Sequence, residues 1–255
     1  MIYRDYATIY DLADQGRFGA WMATWTLERL RACGERPQTV LDLACGSGTA
    51  IQVFASAGCR VVGVDRSAAM LAQARARQPA QADVLLAEGD IRALDEALAP
   101  LVAQGVGPGA FDLAVCFADS LNYQTGDGDL ERVLAGARTA LRPGGYLVCD
   151  LNSPAEFATW DERDLVSYDG ADCLVYNRLS YDPDTRLGTG RIVWFARDGG
   201  RWWRGEETHT ERAWDHAELA AAATAVGLTL IERHSPDGTP VSEETRRVIY
   251  VMRHA

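Results

Sequence analysis

The strongest constraint on the fold lies between Val40 and Asp150, where short apolar runs at 40–43, 61–64, 84–86, 111–116 and 146–150 alternate with helical patterns. Parallel strands cannot be joined by tight turns, so this rhythm points to βαβ units and a parallel sheet. Ser67 can cap a helix over 67–77, and a second helix over 129–141 is closed by Arg142-Pro143-Gly144-Gly145. The glycine-rich stretch 104–109 reads as the loop before the fourth strand.

Beyond Asp150 the pattern changes. Residues 173–181, 190–196 and 201–213 cluster β-formers around turns at Asp182-Pro183-Asp184 and Asp198-Gly199-Gly200, which predicts a three-stranded antiparallel meander. Helical periodicity returns at 215–226, with Asp215 and Glu218 spaced as a capping box and Gly227 as the stop. Strands at 228–232 and 248–252 follow. The expected fold is α/β: a Rossmann-like, doubly wound, mostly parallel seven-stranded sheet with an antiparallel last strand, plus a small antiparallel β insert.

Composition narrows the partners. A net charge of −11 opposes binding to nucleic acid or an anionic membrane surface, which favours a small molecule. No apolar run approaches the roughly 20 residues of a membrane span, and the first residues carry neither a basic leader nor an apolar signal core; a soluble, cytoplasmic protein is expected. All 25 basic residues are arginine, which removes a phosphate-loop lysine and a Schiff-base lysine. The six cysteines form no C-x-x-C pair and read as free thiols, mostly in strands.

The stretch "LDLACGSGT", residues 41–49, follows the first strand and opens a helix, so its glycines would let backbone N–H groups approach a ligand. A dinucleotide fingerprint needs a third glycine where Ile51 stands, which weakens that reading. Asp65 ends the second strand in "VVGVD", where a carboxylate can accept from both ribose hydroxyls. In "EGDI", Asp90 can accept from an adenine amino group while Ile91 covers the ring.

Taken in order, "LDLACGSGT", "VVGVDRSAAML", "EGDI", "FDLAVCFADSLNY" and "LRPGGYLVCDLN" resemble the motifs of class I S-adenosylmethionine-dependent methyltransferases. That resemblance implies S-adenosyl-L-methionine as methyl donor and S-adenosyl-L-homocysteine as product. It assigns Asp42, Ala44, Gly46 and Gly48 to the methionine part, Asp65 to the ribose, Asp90 and Ile91 to the adenine, and Arg66, Met70 and Phe117 to the walls. Met70 equally suits helix core, and Gly48 equally suits packing.

"YDLADQGRFGAW", residues 10–21, is similar to the lid segment of bacterial small-molecule methyltransferases, sugar N,N-dimethyltransferases and glycine-type N-methyltransferases among them. The similarity implies Tyr10 near the methyl-transfer site and Arg17 near the methionine carboxylate; a solvated Arg17 is the alternative. Tyr3, Tyr6, Trp21 and Trp25 either line an acceptor pocket or pack a helix on the sheet. The implied organisation is a helical lid over 1–36, a cofactor-binding core over 37–152, the β insert over 153–213, and the last helix and strand pair over 214–255.

Catalytic candidates lie where the fourth strand ends: Asp119 as acceptor base, with Asn122 and Tyr123 beside it. Asp119 capping a turn and Tyr123 in the core are the structural alternatives. Asp119, Asp150 and Asn152 are hard oxygen ligands, yet the other motifs of catechol-type O-methyltransferases are missing, so no metal is expected. "DSLNY" departs from the N-P-P-Y of base and protein-amide methylases. On "RWWRGEETHTERAW", Trp203, Glu207, His209 and Glu211 share one face, with His209 as a candidate base. A solvated strand or a homodimer contact fits that stretch equally. The expected activity is methylation of a small-molecule acceptor with a slight preference for an amine; O-methylation and a non-catalytic cofactor-binding module are the alternatives.

Overall fold

The computed structural model describes residues 2–79 and 81–255. Helices α1 (Ala7–Leu12) and α2 (Arg17–Ala32) precede the alternating region. That region runs β1 (Thr39–Leu43), α3 (Thr49–Ser56), β2 (Arg60–Asp65), α4 (Ala68–Arg77), β3 (Val84–Glu88), α5 (Leu94–Leu98), β4 (Phe111–Cys116), α6 (Asp129–Ala140) and β5 (Leu141–Asn152). A short helix, α7 (Pro154–Phe157), leads into β6 (Arg163–Asp169), β7 (Cys173–Asp182), β8 (Leu187–Asp198) and β9 (Arg201–Arg212). The chain closes with α8 (His216–Ala225), β10 (Leu228–His234) and β11 (Arg247–His254).

The main sheet has the order β10-β11-β5-β4-β1-β2-β3. Strands β1 to β5 pair in parallel, and β11 runs antiparallel to both β5 and β10. Both faces are apolar because successive side chains point to opposite sides. Val40, Leu113, Val115 and Val148 face α2 and α3, against Met22, Ile51 and Phe54. Their neighbours Leu41, Ala114, Cys116 and Leu147 face α5, α6 and α8, against Leu98, Leu134 and Leu219. The capping residues behave as their chemistry requires. Ser67 Oγ accepts from the Met70 amide at 3.2 Å, and Asp215 with Glu218 forms a reciprocal capping box.

The insert is a separate antiparallel sheet of order β6-β7-β8-β9. It has four strands, not the three expected from sequence. The added strand, β6, is an edge whose residues are almost all exposed, so its "RDLVSYD" carries no half-buried alternation to mark it. One face of this sheet is covered at one end by α1, where Tyr6, Ile9 and Ala13 meet Val175 and Trp194. At the other end α7 brings Phe157, with Trp160 beyond it, against Leu179. Between these two covers the face stays open toward the main sheet.

Candidate active site

The turns after β1 and β4 meet at the centre of the sheet, where the strand order reverses and a crevice forms. Both turns hold residues in the left-handed region: Ala44 at φ 58° and Gly46 at φ 54° in the first, Ala118 at φ 56° and Asp119 at φ 51° in the second. Strained backbone of this kind persists only where surrounding contacts hold it. In the first turn the hold is Asp65, whose Oδ2 accepts from the Gly46 amide at 2.8 Å while Oδ1 accepts from the Ser67 amide at 2.8 Å.

The missing third glycine has a structural explanation. A Cβ on Gly63 would lie 2.6 Å from Ile51 Cδ1 and 2.9 Å from Cys45 Sγ, so the bulk of Ile51 occupies space that Gly63 leaves open on β2. Close helix–strand packing is kept, with the glycine moved from the helix to the strand. Gly48 serves packing as well. At φ 77° it precedes α3, a Cβ there would meet Ala74 of α4 at 2.9 Å, and it does not line the crevice.

Of the cofactor candidates, Tyr10, Asp42, Ala44, Gly46, Asp65, Arg66, Met70, Asp90, Ile91 and Phe117 line one cleft. Asp42 is buried, and its Oδ2 has no hydrogen-bond partner among the described residues. Burial, and then the nearby Asp65 carboxylate, push its carboxyl well above the usual range. Burial raises Asp65 too, against the hydrogen bonds from the Ser67 and Gly46 amides. Asp90 differs. Its Oδ1 accepts from the Arg92 amide at 2.9 Å and Arg92 Nε at 3.0 Å, and the Arg92 hydrogen bond holds its carboxyl below the usual range. Arg92 also donates to Asp129 Oδ2 at 3.1 Å.

The N-terminal segment reaches this cleft by a route the sequence did not reveal. Arg17 points away: its side chain is 81% exposed and pairs with Asp14 at 3.3 Å. The tie to the glycine turn is Asp11, whose Oδ1 accepts from Ser47 Oγ at 2.7 Å and whose Oδ2 pairs with Arg77 of α4. Gly16 supplies the second tie. Its carbonyl accepts from Thr49 Oγ1 at 2.8 Å, and a Cβ there would strike Thr49 Cγ2 at 2.5 Å. Tyr3 and Tyr6 do line cavities, whereas Trp21 packs tilted against Phe18 and Trp25 meets His234 edge-on, outside them.

A second cavity lies between the sheet ends and the open face of the insert, and Tyr3, Tyr10 and Tyr123 line both. Tyr123 hydroxyl lies 3.0 Å from Tyr3 hydroxyl and 2.8 Å from His209 Nδ1. His209 Nε2 lies 3.3 Å from Glu207 Oε2. An ionised carboxylate only accepts, so in the neutral imidazole Nε2 carries the hydrogen and Nδ1 accepts from Tyr123. Glu207 also accepts from the Tyr3, Asp5 and Tyr6 amides, which pins the start of the chain to β9. Its carboxyl is lowered to about 2, the hydrogen bonds from His209 and these amides outweighing its burial. Burial drives the phenols of Tyr3 and Tyr123 well above their ordinary value, so both are neutral hydroxyls.

Asp119 lines the second cavity, where its Oδ1 accepts from Arg247 Nη2 at 2.7 Å. Arg247 also donates to Asp150, and Asp150 accepts from the Ala118 amide at 2.7 Å and the Asp119 amide at 3.1 Å. The amides of two successive left-handed residues thus converge on the Asp150 carboxylate. A guanidinium stands between the two carboxylates that the metal alternative would give to a cation. Asn122 is structural: it donates to the Asn152 and Arg212 carbonyls at 3.0 and 2.8 Å, joining β5 to β9. Cys45 is buried, and desolvation raises its thiol well above the ordinary value, so it fills space as a neutral group.

A family profile described as a methyltransferase domain matches residues 40–145. The dTDP-3-amino-3,4,6-trideoxy-alpha-D-glucopyranose N,N-dimethyltransferase of Streptomyces venezuelae is 30% identical, covering 88% of this chain and 90% of its own length. Cypemycin N-terminal methyltransferase of a Streptomyces species is 30% identical over 92% of this chain and 89% of its own. The crystal structure of an S-adenosylmethionine-dependent methyltransferase from Clostridium acetobutylicum shares the fold, with a TM-score of 0.82 and 24% identity over 98% of this chain and 97% of that one. With four of the five ordered motifs contributing residues to one cleft, this chain belongs to the class I S-adenosylmethionine-dependent methyltransferases.

Proposed function

We propose that the acceptor is a small-molecule amine of the amino-sugar class, methylated on nitrogen where the two cavities meet. The observation that carries this is the shared wall: Tyr3, Tyr10 and Tyr123 line both the nucleotide cleft and a second cavity under the insert. A cofactor-sensing module has no use for that second chamber. Of the relatives above, one is named an amino-sugar N,N-dimethyltransferase and another an N-terminal methyltransferase, which supports nitrogen over oxygen. Among the described residues no helix is long and apolar enough to cross a membrane.

When bound, S-adenosylmethionine supplies an electrophilic methyl group on a sulfonium. The cleft has the donors and acceptors to hold such a molecule. Asp42 Oδ2, buried and unpaired, suits the methionine ammonium. The start of α3 has no side-chain cap, and with Thr49 and Ala50 in the cleft wall its amides suit the carboxylate in place of Arg17. Asp65 keeps free lone pairs for the ribose hydroxyls. Asp90 receives the adenine amino group beside Arg92, with Met70, Ile91 and Phe117 as walls and Arg66 at the mouth.

In-line substitution at a sulfonium needs a positioned nucleophile and a dry site more than strong acid–base help. The residues 1–36 and the insert 153–213 supply the dry site, meeting through Glu207 and the Tyr6–Trp194 contact, whose rings are 5.2 Å apart. The hydroxyl of Tyr123, oriented by His209, and that of Tyr3 position the acceptor. Asp119, clamped by Arg247, presents a fixed carboxylate to it.

Methyl-labelled cofactor incubated with amino sugars and their hydroxyl counterparts tests the reading. Label is expected on nitrogen in the amino members only. Label on oxygen, with none on nitrogen, would overturn it.

A further inference from the structure

The second cavity holds a carboxyl that the Tyr123–His209–Glu207 chain does not use. Glu211 follows His209 by two residues on β9, shares its face, is 5% exposed, and lines the cavity. Its Oε2 has no hydrogen-bond partner among the described residues. A buried acceptor left unpaired costs free energy, and a hydrogen-bond donor arriving in the cavity recovers it.

The groups around Glu211 say what that ligand is. Asp119 comes from the turn after β4, Arg247 from β11, Tyr123 and Asn152 from the sheet ends, His209 from its own strand, and Glu156 from α7. Arg247 is already shared by Asp119 and Asp150. The cavity therefore holds Asp119, Glu156 and Glu211 against one committed guanidinium. Across the sheet Asn177 Oδ1 is also buried and unpartnered. Both unmet atoms are acceptors, so the completing molecule is a donor, and the excess of carboxyls makes it cationic.

We propose that Glu211 selects the amine: its carboxylate receives the acceptor's ammonium beside Asp119 and then takes one of its protons. In that transfer an N–H bond breaks with its electron pair left on nitrogen, an O–H bond forms on Glu211, and the proton leaves to water on product release. The nitrogen lone pair becomes the nucleophile, and a hydroxyl acceptor gains nothing from this seat. The role rests on the amine reading above. Burial and the Asp119 carboxylate raise the Glu211 carboxyl well above its ordinary range, against Arg247 and the polar side chains of Asn152 and Tyr123, so an arriving cation favours its ionised form and displaces a proton.

The test uses the full-length chain and dimethylammonium chloride as probe, with sodium chloride at equal ionic strength as control. Thermal unfolding from pH 6 to 9 is expected to show protection of the wild type by dimethylammonium, growing as pH rises. In Glu211→Gln the apparent affinity for the probe is expected to fall about tenfold, as loss of a charged hydrogen bond implies. Glu211→Asp, which keeps the charge but withdraws it by one methylene, is expected to lie between and carries the test if the amide variant does not fold. No protection of the wild type, or equal protection of all variants, overturns the proposal. Equal protection together with an N-methylated product removes Glu211 and leaves the amine reading. Protection confined to the wild type, with label only on oxygen, removes the amine reading and leaves Glu211 as a cation seat.

Discussion

Nδ1 of His209 lies 2.8 Å from the hydroxyl of Tyr123, a contact that joins the last strand of the insert to the turn after the fourth strand of the sheet. Through Glu207 the same imidazole reaches the amides of Tyr3, Asp5 and Tyr6. Three segments far apart in sequence thus close one cavity, and each tie makes a testable statement.

The closure depends on pH through Glu207. Its carboxyl is depressed from 4.5 to about 2. A depressed carboxyl contributes stability that is fully present above its unfolded value and lost as pH falls through its folded value. Docking of the N-terminal segment should therefore weaken between about pH 4.5 and pH 2, by less than the roughly 3 kcal/mol of the whole shift, because His209 on the same strand shares in it. Hydrogen exchange at the Tyr3, Asp5 and Tyr6 amides measures it. Glu207→Gln should expose those amides at neutral pH; protection that is the same at pH 6 and pH 3 would count against the tie.

Asp65 carries two loads, the shape of the glycine turn and the proposed ribose contact. Asp65→Ala should weaken cofactor binding by about 1 to 3 kcal/mol, the range for lost charged hydrogen bonds. Titration calorimetry reads this directly, and unchanged affinity would remove the ribose assignment.

Arg17 makes the opposite forecast. Its guanidinium is exposed and, among the described residues, paired only with Asp14, so Arg17→Ala should change cofactor affinity by less than about 0.5 kcal/mol. A loss above tenfold would show that the arginine swings into the cleft when the methionine carboxylate is bound.

Gly16 is fixed by sterics. Gly16→Ala puts a Cβ 2.5 Å from Thr49 Cγ2 and should destabilise by about 1 to 3 kcal/mol through overpacking. Thr49→Ser removes that methyl while keeping the hydroxyl that donates to the Gly16 carbonyl, so the double variant should recover most of the loss. Denaturant unfolding of the four proteins in the cycle tests the coupling.

The fold was legible because its signals are local. Alternating apolar runs, the Ser67 cap and the Asp215–Glu218 box depend on residues within a few positions of one another, and each appears where the periodicity put it. The exposed edge strand Arg163–Asp169 was not legible, since burial on one face is what writes a strand into a sequence. That Asp42, Asp65, Asp90 and Ile91 would share one cleft was readable because each sits at the end of a strand or opens a turn. Asp11, Arg77 and Thr49 were not, because their partners lie tens of residues away.

By itself the sequence determined the donor side: a parallel sheet, a glycine turn without a phosphate-binding lysine, and acidic residues at the ends of successive strands suit an adenosine with a free ribose. Tertiary structure alone decided the second cavity, the proposed acceptor site. Glu207, His209 and Glu211 alternate along β9 in a pattern that fits solvent as well as a cavity, and only the folded chain sets Tyr3 and Tyr123 against His209 and buries Glu211 among the cavity residues. The physical reason is that a cofactor pocket built at strand ends is recorded in local backbone requirements. A cavity between two sheets is recorded only in long-range packing.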